Sequence, residues 1–152
     1  MNIVLYQPEI PYNTGNIGRT AVLTGSSLHI IKPMGFSLDE KQIKRAGLDY
    51  WSLVDLHIWE SIEELWSAYP NNNFYYATTK TKQSYSDVKY KQDDFIVLGP
   101  ESRGIPEEIL NKFKENNITI PMKKIGRSLN LSNSAAIIIF EAYRQCDFNF
   151  GE

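Results

Sequence analysis

Residues 118–146 read ITIPMKKIGRSLNLSNSAAIIIFEAYRQC, which is a short β-type run, then a polar loop, then an apolar helix. Ser132 or Asn133 can cap this helix, because either side-chain oxygen can accept a free backbone N–H of the first turn. Residues 135–140 are apolar on every side of the helix. The pattern therefore predicts that protein buries this helix, either within one fold or across a dimer.

The loop before this helix is crowded with hydroxyl and amide side chains, more than the one or two that capping requires. The surplus predicts a pocket that hydrogen-bonds a polar small molecule, with an elaborate helix cap as the alternative. Backbone groups near Ile120, Met122 and Leu129 could bind the edge of an adenine while apolar side chains cover its faces. The crowded side chains belong to Ser128, Asn130, Ser132, Asn133 and Ser134.

Length and composition indicate one folded domain. The chain has 152 residues, of which 42% are hydrophobic and 22% charged, as in ordinary globular proteins. It has no apolar run near the ~20 residues of a membrane span, and no basic segment precedes the first apolar run. We therefore expect neither a membrane span nor a signal peptide.

The cysteine and histidine content argues against disulfides and metals. A single cysteine, Cys146, excludes an internal disulfide and fits a reducing cytoplasm. His29 and His57 each lie in an apolar run, so we expect no metal site. The net charge of −2 argues against a uniformly basic surface, but one basic face could still bind a nucleic acid.

Strand and helix patterns alternate along the chain, which predicts an α/β fold with a mostly parallel sheet flanked by helices. In such sheets the ligand site lies beyond the carboxyl ends of the strands. Capping boxes begin at Ser37 and Ser61, and residues 78–94 are expected to be irregular. Strands are predicted at residues 2–6, 28–31, 56–59, 74–77, 95–98 and 118–120, and the earlier helices at 16–24, 39–46, 61–69 and 106–114.

Residues 13–19, N-T-G-N-I-G-R, are predicted to end a loop and enter a helix near Asn16. Arg19 would then lie in the first helical turn, where a cation is unfavourable. A phosphate or carboxylate partner would offset that cost. The alternative is a solvated arginine, with glycines that serve the turn. The dinucleotide fingerprint G-x-G-x-x-G is absent.

Residues 98–106, L-G-P-E-S-R-G-I-P, form a second glycine-rich loop after a predicted strand. Glu101 and Arg103 could simply pair with each other. Alternatively, Gly99 lets a flat ligand approach the backbone and Glu101 positions polar groups. The residues alone leave both interpretations open.

Together, these two loops and residues 120–134 resemble the three signature motifs of the SPOUT superfamily, the α/β-knotted RNA methyltransferases. The resemblance covers essentially the whole chain. It implies a single SPOUT domain over residues 1–152 whose C-terminal segment is threaded through a trefoil knot, and a homodimer with the first and last helices at its interface. It also implies S-adenosylmethionine as cofactor and no metal. The implied cofactor-binding residues are Thr78, Gly99, Glu101, Ile120, Met122, Leu129 and Ser134.

Residues 47–51 and 141–145, G-L-D-Y-W and E-A-Y-R-Q, look most like the small members that methylate the ribose 2′-OH of the wobble nucleotide 34 in tRNA. The expected substrate is a leucine tRNA. Arg19 would bind the adjacent phosphate and stabilise developing oxyanion charge, because a guanidinium resists deprotonation. Ribose-orienting candidates are Asn16, Ser128 and Asn130. Besides Arg19, the expected RNA-binding residues are Lys80, Lys82, Lys123, Lys124 and Arg127.

Three alternatives stay open on the sequence. A knotted protein could bind RNA without transferring a methyl group, or the methyl acceptor could be another position in tRNA or rRNA. An NAD-linked oxidoreductase ranks lowest, because the phosphate-binding fingerprint is missing. Cofactor binding and the identity of the methylated nucleotide distinguish these alternatives.

Overall fold

The computed structural model describes residues 1–38, 41, 43 and 48–152. The helix predicted at residues 39–46 falls mostly outside these described residues, as does Glu40 of the first capping box. Gly47 of the G-L-D-Y-W motif lies outside them too. None of the helices in the described part is long and apolar enough to cross a membrane.

A six-stranded sheet forms the centre of the molecule, and every strand pair described in it is parallel. The strands are β1 (Asn2–Tyr6), β2 (Ser27–Ile31), β3 (Leu56–Trp59), β4 (Phe74–Ala77), β5 (Phe95–Leu98) and β6 (Asn117–Ile118). Their order across the sheet is β3-β2-β1-β5-β4-β6. The predicted parallel α/β fold is confirmed, whereas the knot is not tested by strand order and stays a prediction.

The described residues contain four α-helices and two short 3-10 helices. The α-helices are α1 (Pro11–Thr24), α2 (Ile62–Ala68), α3 (Glu107–Lys112) and α4 (Leu131–Gln145), and the 3-10 helices are Leu48–Leu53 and Lys114–Asn116. The capping box at α2 is confirmed, because the Glu64 N–H donates to Ser61 Oγ at 3.2 Å. Residues 78–94 contain turns and no regular helix or strand, as predicted.

Alternate residues of a strand point to opposite faces of the sheet, and helices pack against both faces. Ile3 and Leu5 of β1 pack in one core cluster, which includes Ile17 of α1 and Ile138 of α4. Val4 belongs to the opposite cluster, which includes residues of α2 and α3. The chain thus forms a sheet between two helical layers, and α1 and α4 share one of them.

The prediction that the first helix begins near Asn16 is wrong, since α1 already begins at Pro11. Proline suits the first helical turn, where its missing N–H has no intrahelical partner to lose. Gly18 lies inside the helix, and a side chain would not fit at this position, because a Cβ there would come within 2.8 Å of Trp51 Cζ3. Arg19 is therefore in mid-helix, so the argument from the first-turn dipole fails.

The predicted capping residues of the last helix, Ser132 and Asn133, are also wrong. The helix begins at Leu131, and Asn130 precedes it with an extended ψ of 139°. Its Oδ1 accepts the N–H groups of Ser132 at 2.9 Å and Asn133 at 3.3 Å. The cap was misplaced because several adjacent residues have suitable oxygens, and only backbone geometry selects one.

Candidate active site

A cavity of about 460 Å³ opens where the loops after β4, β5 and β6 meet. Thr78 and Thr79 follow β4, residues 99–103 follow β5, and residues 119–130 follow β6. Ser134 and Ile138 of α4 also line it. The cavity lies at the carboxyl ends of parallel strands, where the sequence predicted a ligand site.

The seven residues that the resemblance assigns to cofactor binding all line this cavity, although their part in binding stays a prediction. Ser128 and Asn130, the two ribose-orienting candidates of the third loop, line it too. The seven residues are Thr78, Gly99, Glu101, Ile120, Met122, Leu129 and Ser134.

The cavity fits a nucleoside-based cofactor in size and chemistry. Leu98, Ile118 and Ile138 supply apolar wall, and Thr78 and Ser134 bring hydroxyl groups to the same space. Cofactor pockets are commonly ~300–1,000 Å³ with mostly apolar walls and a few polar groups. The residues present therefore suit S-adenosylmethionine, with its flat adenine and its polar amino-acid end.

Glu101 ties the cavity to the start of α1. Its Oε1 accepts the Glu9 N–H at 2.9 Å, and its Oε2 accepts the Ile10 N–H at 2.8 Å and Asn13 Nδ2 at 3.2 Å. Arg103 instead donates to Gln7 Oε1 at 2.8 Å. Glu101 and Arg103 therefore have different partners, and the simple pair between them that the sequence allowed is not formed.

Asn13 joins the three sequence motifs. It is 5% exposed, its Nδ2 donates to Glu101, and its Oδ1 accepts Asn130 Nδ2 at 3.2 Å. Asn130 in turn caps α4. Sequence reasoning missed Asn13 as a site residue. A possible signal was asparagine itself, which is unfavourable inside a helix unless its side chain has a partner.

A second set of hydrogen bonds links the loop before α1 to the loop after β5. Glu9 Oε1 accepts the Ser102 N–H at 2.8 Å, and Ser102 Oγ donates to the same carboxylate. These hydrogen bonds to Ser102 lower the pKa of Glu9 below its ordinary value. Glu9 and Glu101 thus fasten the loop before α1 to the loop after β5 from both sides.

Residue 99 is a glycine because the backbone of the same loop passes close to it. A Cβ at Gly99 would overlap the backbone of Gly104 and Ile105. Gly104 has φ +70°, a conformation that glycine adopts without strain, and its N–H donates to Pro100 O at 2.9 Å. The tight turn therefore needs these glycines whether or not a flat ligand approaches.

The cap of α4 uses much of the polar surplus seen in the sequence. Ser132 Oγ donates to Asn130 Oδ1 at 2.6 Å, and Ser134 Oγ donates to Asn130 O at 3.1 Å. The elaborate-cap interpretation is therefore partly right. Ser128 and Asn130 still line the cavity, so cap and pocket are built from one segment.

Arg19 and Asn16 lie on α1 but are not among the residues that line the cavity. The Arg19 Cζ lies 4.9 Å from the centre of the Tyr50 ring. Arg19 Nε is buried and has no hydrogen-bond acceptor in the part of the chain that the structure describes. In a single chain, the predicted catalytic arginine is thus held against an aromatic ring, away from the cavity wall.

The five predicted RNA-binding side chains outside α1 are all exposed. Lys80 and Lys82 follow β4, whereas Lys123, Lys124 and Arg127 follow β6, so all five lie in loops at the cavity end of the sheet. Lys80 Nζ is 2.9 Å from Glu107 Oε1. RNA binding by these side chains stays a prediction.

Comparison with known proteins gives consistent matches. Residues 1–140 match the SpoU rRNA methylase family. A protein of Methylovorus glucosotrophus named tRNA (cytidine(34)-2′-O)-methyltransferase is 49% identical, over 97% of this chain and 96% of its own. A solved structure described as "Structural insights into the 2-OH methylation of C/U34 on tRNA" has 41% identity and a TM-score of 0.91, covering 96% and 95% of the two chains.

A more distant structure shares the fold. It is the SpoU methyltransferase AviRb from Streptomyces viridochromogenes, solved in complex with the cofactor AdoMet. Its TM-score is 0.84 at 21% identity, covering 97% of this chain and 58% of that one.

Proposed function

The chain belongs to the SpoU rRNA methylase family, and we propose that it is an S-adenosylmethionine-dependent 2′-O-methyltransferase of the wobble nucleotide, cytidine or modified uridine 34, of tRNA. The observation that carries the proposal is full-length similarity to relatives named for this reaction. The cavity at the carboxyl edge of the sheet supports it, because its residue types suit the cofactor. A leucine tRNA is the proposed substrate.

The chain would hold the cofactor in the cavity by the seven lining residues. S-adenosylmethionine, when bound, supplies a methyl carbon made electrophilic by a positively charged sulfur. Apolar side chains such as Leu98 and Ile138 cover the ligand and exclude water. The Glu101–Asn13–Asn130 hydrogen bonds fix the loop after β5 and the loop before α4 to the first helix, so that this side of the pocket is preorganised.

The ribose would be placed by residues beside the pocket. Ser128 and Asn130 orient its hydroxyl groups, with Asn16 on α1 as a further contact. Arg19 binds the adjacent phosphate and stabilises the negative charge that develops on the 2′-oxygen. It acts as a cation rather than as a base, because guanidinium keeps its proton at neutral pH.

The active form would be a homodimer packed through α1 and α4. These helices leave large apolar side chains in solvent, namely Tyr12 at 59%, Leu23 at 58%, Ile137 at 38% and Phe140 at 42% exposed. Contiguous exposed apolar surface on a folded chain is typical of an interface. A second copy on this face would bring Arg19 towards a cavity that it does not line in its own chain.

The basic loops would contact the tRNA backbone. Lys80, Lys82, Lys123, Lys124 and Arg127 surround the cavity end of the sheet, so two subunits would present two such sets. Phosphate contacts release counterions, so we expect tRNA affinity to fall steeply with salt. A tRNA substrate also accords with the cytoplasmic location predicted from the sequence.

The test is transfer of a labelled methyl group from S-adenosylmethionine to tRNA lacking wobble methylation, followed by digestion and identification of the nucleoside. We expect a 2′-O-methylated pyrimidine from nucleotide 34, and near-complete loss with Arg19→Ala at saturating tRNA. Label at another nucleotide would overturn the proposed position. Cofactor binding without transfer would indicate another RNA or a missing prior modification, whereas tRNA binding with neither transfer nor cofactor binding would indicate a non-catalytic RNA-binding protein.

A further inference from the structure

We propose that Tyr50 is a positioning residue for Arg19, holding the guanidinium on its ring so that the arginine reaches the RNA preorganised and with its hydrogen-bond donors free. The inference deepens the proposed function and rests on Arg19 acting there on RNA. The contact itself, with Cζ 4.9 Å from the ring centre, is independent of that function.

An aromatic ring holds an arginine differently from a carboxylate. A carboxylate partner would use guanidinium donors and neutralise the charge, whereas an aromatic face attracts the cation through its π electrons. The donors then remain available in the guanidinium plane. The ring thus restricts a long flexible side chain without competing with phosphate or ribose oxygens.

Arg19 Nε adds a second observation. It is buried and has no acceptor among the described residues. A buried donor without a partner is costly, and such groups in folded proteins usually have a functional or solvent explanation. Because Nε is shielded from solvent, it is the terminal guanidinium nitrogens that would meet a phosphate oxygen of the RNA backbone.

The segment that carries Tyr50 is itself fixed to α1. Tyr50 lies in the 3-10 helix Leu48–Leu53, and the neighbouring Trp51 packs where Gly18 has no side chain, with Cζ3 2.8 Å from an ideal Cβ position. Gly18 directly precedes Arg19 in α1. The 3-10 helix therefore packs against α1 through Trp51 and places Tyr50 on Arg19, the residue after Gly18.

The experiment compares Tyr50→Leu with Tyr50→Phe and with Leu53→Ala. Leu53 is 68% exposed on the same 3-10 helix, so its substitution controls for disturbing the segment. For Tyr50→Leu we expect kcat to fall about tenfold, the size of a good cation–π contact, with cofactor affinity unchanged. Tyr50→Phe keeps the ring and should lose no more than about threefold. Leu53→Ala should match wild type.

Two readouts distinguish positioning from a loss of stability. In an Arg19→Ala background, Tyr50→Leu should cause no further loss of tRNA affinity, because the pair acts as one unit. In NMR spectra, the Arg19 Hε resonance should show a ring-current shift that Tyr50→Phe keeps and Tyr50→Leu abolishes. Thermal unfolding of each variant reports whether the fold is intact.

The outcomes separate this inference from the proposed function. If wild type methylates nucleotide 34 and Tyr50→Leu turns over normally, the positioning role is wrong while the function stands. Equal losses for Tyr50→Phe and Tyr50→Leu would also overturn it, because the ring would not be what matters. If wild type transfers no methyl group, the ring-current shift and tRNA affinity still decide whether Tyr50 holds Arg19 for RNA.

Discussion

Asn130 Nδ2 donates a hydrogen bond of 3.2 Å to Asn13 Oδ1, across 117 residues of sequence. The bond joins the first helix to the cap of the last, and Asn13 continues it to Glu101 at 3.2 Å. Three segments that are remote in sequence are thereby held in one arrangement beside the cavity. These hydrogen bonds between side chains explain why the three motifs occur together.

Asn13→Ala should lower the free energy of unfolding by about 1–3 kcal/mol, because it removes the two hydrogen bonds of a buried side chain, each worth about 0.5–1.5 kcal/mol. Combined with Asn130→Ala, it should show a coupling energy of about 0.5–3 kcal/mol in a double-mutant cycle measured by urea unfolding. Asn111→Ala, at an exposed position on α3, is the matched control and should be near neutral. Strict additivity of the two substitutions would show that the hydrogen bond contributes nothing.

Gly18→Ala should destabilise the protein by about 1–3 kcal/mol, although alanine is normally favoured over glycine in a helix. The added Cβ would lie 2.8 Å from Trp51 Cζ3, so the tryptophan must move. Gly35→Ala is the control, since its nearest neighbour is at 3.4 Å. Thermal unfolding measures both variants, and a stabilised Gly18→Ala would contradict the packing described here.

His29 is fully buried, and its hydrogen bonds fix its neutral form. Trp59 Nε1 donates to Nδ1 at 3.0 Å, which leaves the ring proton on Nε2, 3.0 Å from Asn2 Oδ1. His57 stacks on the ring at 4.8 Å. Burial, and next repulsion from His57, lower the pKa of His29 from 6.5 to about 4, while Asp55 opposes the shift.

The lowered pKa predicts that stability falls as the pH drops from about 6.5 to about 4. Between these pH values His29 binds a proton in the unfolded chain but not in the folded chain. The stability present above pH 6.5 is therefore lost on acidification. The loss amounts to about 3 kcal/mol at most. Urea unfolding across this range measures it, and His29→Gln should remove this part of the pH dependence. An unchanged profile in His29→Gln would assign it to other groups.

Phe140→Glu should convert the proposed dimer to a monomer, since it puts a charge on the exposed apolar face of α4. Sedimentation velocity or light scattering measures the change. Ile58→Glu is the control, because Ile58 is 39% exposed, close to the 42% of Phe140, but lies on the edge strand β3. A wild-type monomer at micromolar concentration, or a Phe140→Glu dimer, would contradict an interface through this helix.

Much of the fold followed from local sequence pattern. Each predicted strand is present within a residue or two, because short β-branched and aromatic runs bounded by turns are local signals. The α2 capping box was also readable, since Ser61 and Glu64 are three residues apart. The start of α1 was not, because its glycines and asparagines are typical of a loop, whereas Gly18 is accommodated by packing against Trp51 and Asn13 by hydrogen bonds with Glu101 and Asn130.

The sequence by itself determined the parallel α/β fold, the edge of the sheet where the cavity opens and, through three motifs, the family. Only the tertiary structure decided which side chains act together: Asn13 between Glu101 and Asn130, and Tyr50 on Arg19. Secondary structure follows from residues a few positions apart, where propensity and period are visible. Contacts between residues 31 to 117 positions apart depend on how the helices pack on the sheet, which no local pattern records.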